Sequence, residues 1–326
     1  MKQFLLHGLA LAVSVGPATA QLALSGNDSK AVLENGAVCI VPNPPPDTVI
    51  ILNLSATPPR ATPPVMVQTL EAGAGASGVS VSRAGTLALV ANRNAGLVSV
   101  FRIAGGRLAP VSTLTIAPPV WSTSHVQFTP HGRFALVMRD GDFFVSVLRV
   151  EGENVTLAGC DITVGMRPYG LAITPDGRWA AVANIGCSSG DADTVRLISL
   201  TAEPFRAVDT ISVGPTPEGS QVSPDNRHVA VTVMNGSNRA ANHPLRGPRL
   251  LVMLRIEEGR LMRVAQAEIG SWGQGVVFNC DGTRVFVRNM VEREIQGSSF
   301  DGQRLTAQPG RVGVDGGPSA FRTAER

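Results

Sequence analysis

A single phrase of sequence returns along the chain at near-constant spacing, and no other feature limits the possible folds more. Its clearest copy runs from Pro168 to Asn184: Pro-Tyr-Gly-Leu-Ala-Ile-Thr, then Pro175-Asp176-Gly177, then Arg-Trp-Ala-Ala-Val-Ala-Asn. The first half alternates as a short strand does. Pro-Asp-Gly is turn chemistry, because proline presets φ and glycine accepts a positive φ. The second half is another strand, so the phrase reads as a hairpin. Further copies start at Gly78, His125, Gly219 and Gly275, and a fainter one spans Leu22 to Asn35. Their turns fall at Asp28, Gly85, Gly132, Gly177, Asn226 and Gly282, at intervals of 57, 47, 45, 49 and 56 residues.

Each interval holds two more strand-like runs, such as Thr194 to Leu200 and Ala207 to Val213. Four strands per unit, repeated radially, predict an all-β chain: a β-propeller of four-stranded antiparallel blades. Six repeats are visible, which allows six or seven blades. A pair of sandwiches does not account for one motif returning six times. Pro318 to Thr323 matches Pro168 to Ile173 but has no turn after it. It reads as an innermost strand that closes the ring by pairing of N- and C-terminal strands, with residues 29–70 supplying the rest of that blade.

Residues 1–20 stand apart from the repeat. Lys2, an apolar run from Phe4 to Val15, Pro17 and Ala18-Thr19-Ala20 form the three parts of a secretory signal peptide. The expected organisation is therefore a leader over 1–20 and a single propeller over 21–326, periplasmic or secreted. No later apolar run is long enough to span a membrane. The formal charge of +3 and the lack of a basic cluster argue against nucleic acid as a partner. The four cysteines fit an oxidising compartment, yet their places around the ring are too far apart for intrachain disulfides.

The repeat resembles the YVTN-type repeat proteins and the related lactonase-type propellers. Arg167-Pro168-Tyr169-Gly170, Thr174-Pro175-Asp176-Gly177-Arg178, Val182-Ala183-Asn184 and Asp193-Thr194-Val195 carry the likeness best. His125-Val126-Gln127-Phe128-Thr129-Pro130 is similar to the His-Val-x-Phe-x-Pro stretch of lactonase-type members. The resemblance implies a propeller of usually seven blades. It also implies His, Arg and Glu side chains converging on the central channel in the enzymes, and it spans lactone hydrolases, lactone-forming cyclases, surface-layer-like proteins and binding proteins.

Position in the repeat singles out the site residues. The residue before each innermost strand faces the channel mouth: Ser77, Ser124, Tyr169, Glu218, Gln274 and Ser319. Two residues earlier stand Arg167, Thr216 and Trp272. Polar mouths are common simply because they are wet, but convergent polar groups are also the default place for a ligand. The candidate ligand-binding residues are Tyr169, Trp272, Gln274, His243 and Arg246, the last two from a long loop over 235–249. His125, Arg167 and Glu218 are the candidate catalytic residues if the chain is lactonase-like. No haem, zinc or nucleophile-elbow motif occurs, so neither metal nor cofactor is expected. The residues leave two readings. The first is an exported propeller that binds a small anionic or ring-containing molecule, or a protein partner, without catalysis. The alternative is a lactonase-type hydrolase or cyclase acting on an acidic lactone.

Overall fold

A computed structural model describes residues 22–28, 31–34, 37–43, 48–54, 60–61, 65–66, 76–104, 107–314 and 317–323. The leader at 1–20 lies outside the described residues. The chain opens with β1 (Leu22–Asp28), β2 (Ala31–Glu34), β3 (Ala37–Ile40), β4 (Thr48–Asn53), β5 (Arg60–Ala61) and β6 (Val65–Met66). Four-strand units then follow in order: β7 (Ala76–Val81), β8 (Leu87–Asn92), β9 (Leu97–Ala104) and β10 (Arg107–Thr115) make the first. The second is β11 (Val126–Phe128), β12 (Phe134–Arg139), β13 (Phe144–Glu151) and β14 (Asn154–Thr163). The third is β15 (Pro168–Ile173), β16 (Trp179–Asn184), β17 (Asp193–Ser199) and β18 (Arg206–Gly214). The fourth is β19 (Pro217–Val222), β20 (His228–Val233), β21 (Leu250–Glu257) and β22 (Arg260–Glu268). The fifth is β23 (Gly273–Phe278), β24 (Arg284–Asn289), β25 (Glu294–Phe300) and β26 (Leu305–Gly313), and β27 (Gly317–Thr323) ends the chain. All five are antiparallel meanders.

The repeat's turns form as their chemistry dictates. In each unit the first strand returns through an i→i+3 bond, as from the Gly177 N–H to the Thr174 carbonyl, 2.8 Å. Gly85, Gly132, Gly177, Asn226 and Gly282 all take a positive φ, between 65° and 74°. Asp176, Asp225 and Asp281 brace the bend by accepting the N–H two residues on.

Asp28 departs from this pattern. It is not a turn residue but the last residue of β1, and β1 pairs with β27 on one side and β4 on the other. The terminal strands therefore pair directly, with Leu24 opposite Arg322. Within the faint copy, Leu22–Asp28 is accordingly the second strand of its sheet, and Ala31–Glu34 belongs to another sheet, so the copy is not a first-and-second hairpin. Ala31–Glu34 and Ala37–Ile40 pair with each other as a separate two-stranded antiparallel sheet. The alternation of Leu22 to Asn35 fits either register, and only the arrival of β27 as the innermost strand selects one.

Six sheets of four or more strands stand among the described residues, counting the one built on β27, β1 and β4. Apolar clusters lie between successive sheets. Leu136, Met138, Val145, Leu171 and Val182 join the second unit to the third, and Val195, Leu197, Val229, Val231 and Val252 join the third to the fourth. Strands this central are buried on both faces, which is why β8, β12 and β16 read as near-continuous apolar runs. Cys160, on the fourth strand of the second unit, and Cys187, on the loop after β16, are exposed free thiols.

Candidate active site at the channel mouth

The site is made by one irregularity repeated in every unit. Where an innermost strand begins, two of its residues oppose one on its partner. The ladder between β15 and β16 skips Tyr169; that between β23 and β24 skips Gln274; that between β19 and β20 skips Glu218 and Gly219. In the second unit the Ser124 N–H bonds the Met138 carbonyl while the Met138 N–H bonds the His125 carbonyl, so two residues again face one. Such bulges turn a side chain off the ladder and occur beside active sites. In the second to fifth units the backbone two residues before the bulge is left-handed at a non-glycine residue: Ser122 (φ 32°), Arg167 (52°), Thr216 (59°) and Trp272 (54°). That conformation costs on the order of 1–3 kcal/mol per residue and persists only where surroundings impose it. Here the carbonyls of Arg167, Thr216 and Trp272 each accept an N–H from just beyond the second strand, at 3.0, 3.0 and 3.2 Å.

Close approach of the innermost strands completes the geometry. A Cβ on Gly170 would lie 2.3 Å from the Glu218 carbonyl oxygen, so only glycine lets the third unit meet the fourth there. A Cβ on Gly275 would lie 2.1 Å from an Arg288 terminal nitrogen, so Gly275 makes room for that guanidinium.

Glu218 is the centre of the group. Burial pushes its carboxyl up to about 8; Arg288, the Trp272 and Gln274 side chains and Arg93 pull the other way without cancelling it. Gln274 Nε2 donates to Glu218 Oε1 at 3.4 Å, while Glu218 Oε2 and Trp272 Nε1 are both buried without a hydrogen bond of full geometry. Tyr169 lies beside it. Burial raises its phenol above the usual range, Glu218 and Asp140 raise it further, and Arg93 and Arg288 oppose them. The His125 ring meets the Tyr169 ring edge-on at 5.4 Å, and the Arg93 guanidinium sits over that ring at 5.7 Å. Asp140 ion-pairs with Arg93 and also accepts the Ser122 hydroxyl.

Of the residues singled out in the sequence, Glu218, Tyr169, Gln274, Trp272 and His125 come together in this group. Arg167 turns elsewhere. Its guanidinium donates to the Gly186 carbonyl at 3.3 Å and faces Asp193 in its own unit. His243 and Arg246 are occupied in building their loop: His243 accepts the Leu245 N–H at 3.1 Å and meets Arg239 at 3.2 Å, and Arg246 bonds the Arg239 carbonyl at 2.7 Å. The cations beside Glu218 are Arg288 and Arg93, which position alone did not single out. Arg288 did carry a signal, since it occupies the position in a buried strand where β8 and β16 have alanine, and charged residues are rarely buried unless paired. The asparagines that end β8, β16 and β24 tie neighbouring strands together. Asn92, Asn184 and Asn289 donate to Ser99, Thr194 and Gln296 on the next strand.

Successive four-stranded antiparallel sheets, each opening on a bulged first strand, define a β-propeller. The description "Lactonase, 7-bladed beta-propeller" matches residues 33–203, more than half of the chain, and the chain belongs to that family. No curated protein matches it. The periplasmic gluconolactonase PpgL of Pseudomonas aeruginosa superposes with a TM-score of 0.68 at 18% identity, over 94% of this chain and 99% of that one. A candidate 6-phosphogluconolactonase of Bacteroides fragilis does so at 0.64 and 14%, over 95% and 100%. Kuenenia stuttgartiensis hydrazine synthase also matches, at 0.61 and 16%, over 83% and 82%, so likeness at this level carries the fold alone. Family membership backs the lactonase reading over the non-catalytic one, which had stood first on the residues alone.

Proposed function

We propose that this protein is a lactone hydrolase with its active site at Glu218, Arg288, Tyr169 and His125, exported by the leader at 1–20. The observation that carries the reading is the Glu218 carboxyl, buried beside two guanidiniums and poised near neutral pH in a lactonase-family propeller. A general base works best when its pKa lies near the working pH. The ionised carboxylate takes a proton from water as the water oxygen attacks the lactone carbonyl carbon. Arg288, with the Tyr169 hydroxyl, faces the developing oxyanion, where fixed donors in a dry site act most strongly. The ring C–O bond then breaks, and Glu218 returns its proton to the leaving oxygen. One hydroxy acid forms and releases one proton to solvent.

Proton release gives the test. A pH-stat assay over five- and six-membered lactones, glucono-1,5-lactone among them, is expected to show turnover above the spontaneous rate. Saturable binding of the same lactones without turnover overturns the hydrolase and restores a binding propeller.

A further inference from the structure

The hydrolase reading leaves open whether the lactone carries a charge. The names of the two lactonase-type neighbours point both ways, one to an uncharged sugar lactone and one to a phosphorylated one. The charges at the mouth decide between them.

Two guanidiniums and two carboxyls surround the site. Arg288 is buried, and its charge acts on Glu218. Arg93, on the loop after β8, is part-exposed, with 38% of its side chain open to solvent, whereas Arg288 is buried. Asp140, on the loop after β12, has only 4% of its side chain exposed and ion-pairs with Arg93. Ser122 fixes the other Asp140 oxygen. Arg93 is thereby held across the mouth, over a Tyr169 ring that belongs to the third unit. The other charged groups are engaged away from Glu218: Arg239 and Arg246 bond the Ser188 and Arg239 carbonyls within and beside their own loop. Arg139 binds Asp142 and Asp161, Arg167 faces Asp193, and Glu292 accepts the Ser271 N–H.

We infer that Asp140 is a positioning and specificity residue that neutralises Arg93, so that the productive site selects uncharged lactones over those bearing a phosphate or carboxylate. The inference rests on the hydrolase reading for its catalytic half. When Glu218 is ionised and able to act as base, Arg93 is already paired with Asp140 and the Arg288 charge is opposed by Glu218, so neither guanidinium of this group is left uncompensated for an anionic substituent. An anion that does bind favours protonated Glu218, the form that cannot accept a proton. Anionic ligands thus bind the idle state of the site, and uncharged ones bind the working state.

The test is Asp140→Asn, which keeps the shape and the contact with Ser122 and removes the charge. The readout is the ratio of kcat/KM for glucono-1,5-lactone to that for its 6-phosphate ester. Wild type is expected to favour the uncharged lactone, and the variant to move the ratio about tenfold toward the phosphorylated one, the scale of one unit charge at this distance in a partly wet site. Adding Arg93→Gln to Asp140→Asn is expected to return the ratio toward wild type, because the uncovered charge is then gone. A melting curve establishes that each variant is folded. An unchanged ratio in folded Asp140→Asn, or an equal loss on both lactones, overturns the inference. If wild type hydrolyses neither lactone, the hydrolase reading fails on its own, and titration calorimetry with D-gluconate still decides the charge claim. The variant is then expected to bind gluconate about tenfold more tightly than wild type, and equal affinity refutes it.

Discussion

Replacing Glu218 by glutamine is expected to make the protein more stable and less active at once. Glutamine keeps the shape and the neutral charge of the protonated acid. In the unfolded chain a glutamate ionises at about 4.5, whereas in the fold burial delays ionisation to about 8. Between those values the folded state holds the proton and the unfolded state does not. Stability contributed at this position is thus fully present below about 4.5 and is lost as pH rises through 8. The loss amounts to about 3 kcal/mol at pH 7 and about 5 kcal/mol above pH 8, as orders of magnitude. Glutamine has no proton to lose, so Glu218→Gln escapes the loss. For a chain of this size the gain corresponds to roughly 5–10 °C in melting temperature near pH 7–8. Calorimetric melts of both proteins from pH 5 to pH 9 are expected to diverge as pH rises to about 8 and to run parallel above it. Turnover is expected to fall by about 10²–10⁴ from loss of the base. Melting curves that stay parallel across this range refute the reasoning, because they place Glu218 as an ordinary ionised carboxylate in the fold.

The same carboxyl predicts the pH–rate profile: kcat/KM for lactone hydrolysis, corrected for the spontaneous reaction, is expected to rise with pH to a limb near 8 and then level. A profile that falls through that point assigns Glu218 as acid instead of base. Trp272→Phe removes an N–H that lowers the Glu218 carboxyl, so the limb is expected to move to higher pH with the fold retained; a stationary limb separates Trp272 from the proton transfer. Gly170→Ala places a methyl 2.3 Å from the Glu218 carbonyl oxygen, and is expected to cost about 3 kcal/mol or more, as overpacking and backbone shifts do. Chemical denaturation measures that cost directly, and a cost under about 1 kcal/mol means that the innermost strands do not meet there as described.

The architecture was readable from the repeat because its determinants are local. A Thr-Pro-Asp-Gly turn needs only its own residues to bend, and alternation needs only one buried face. The bulge residues were also readable, since Tyr169, Glu218 and Gln274 hold one place in the repeat and the ladder skips each of them. What joins in space from separate blades was not. Arg93, Asp140 and Arg288 come from second strands or the loops after them, and nothing in their neighbours along the chain aims them at Glu218. Arg167 shows the reverse: it stands two residues from Tyr169, yet its left-handed backbone sends it to Gly186 and Asp193. The pairing of Leu22–Asp28 with Gly317–Thr323 likewise needed the whole ring, because the alternation of β1 is compatible with either place in a sheet. Sequence alone therefore determined the unit and its turns, whose energies are settled within a few residues. Tertiary structure decided which charges meet and what Glu218 becomes, because burial and Coulomb interaction depend on distances that only the assembled blades set.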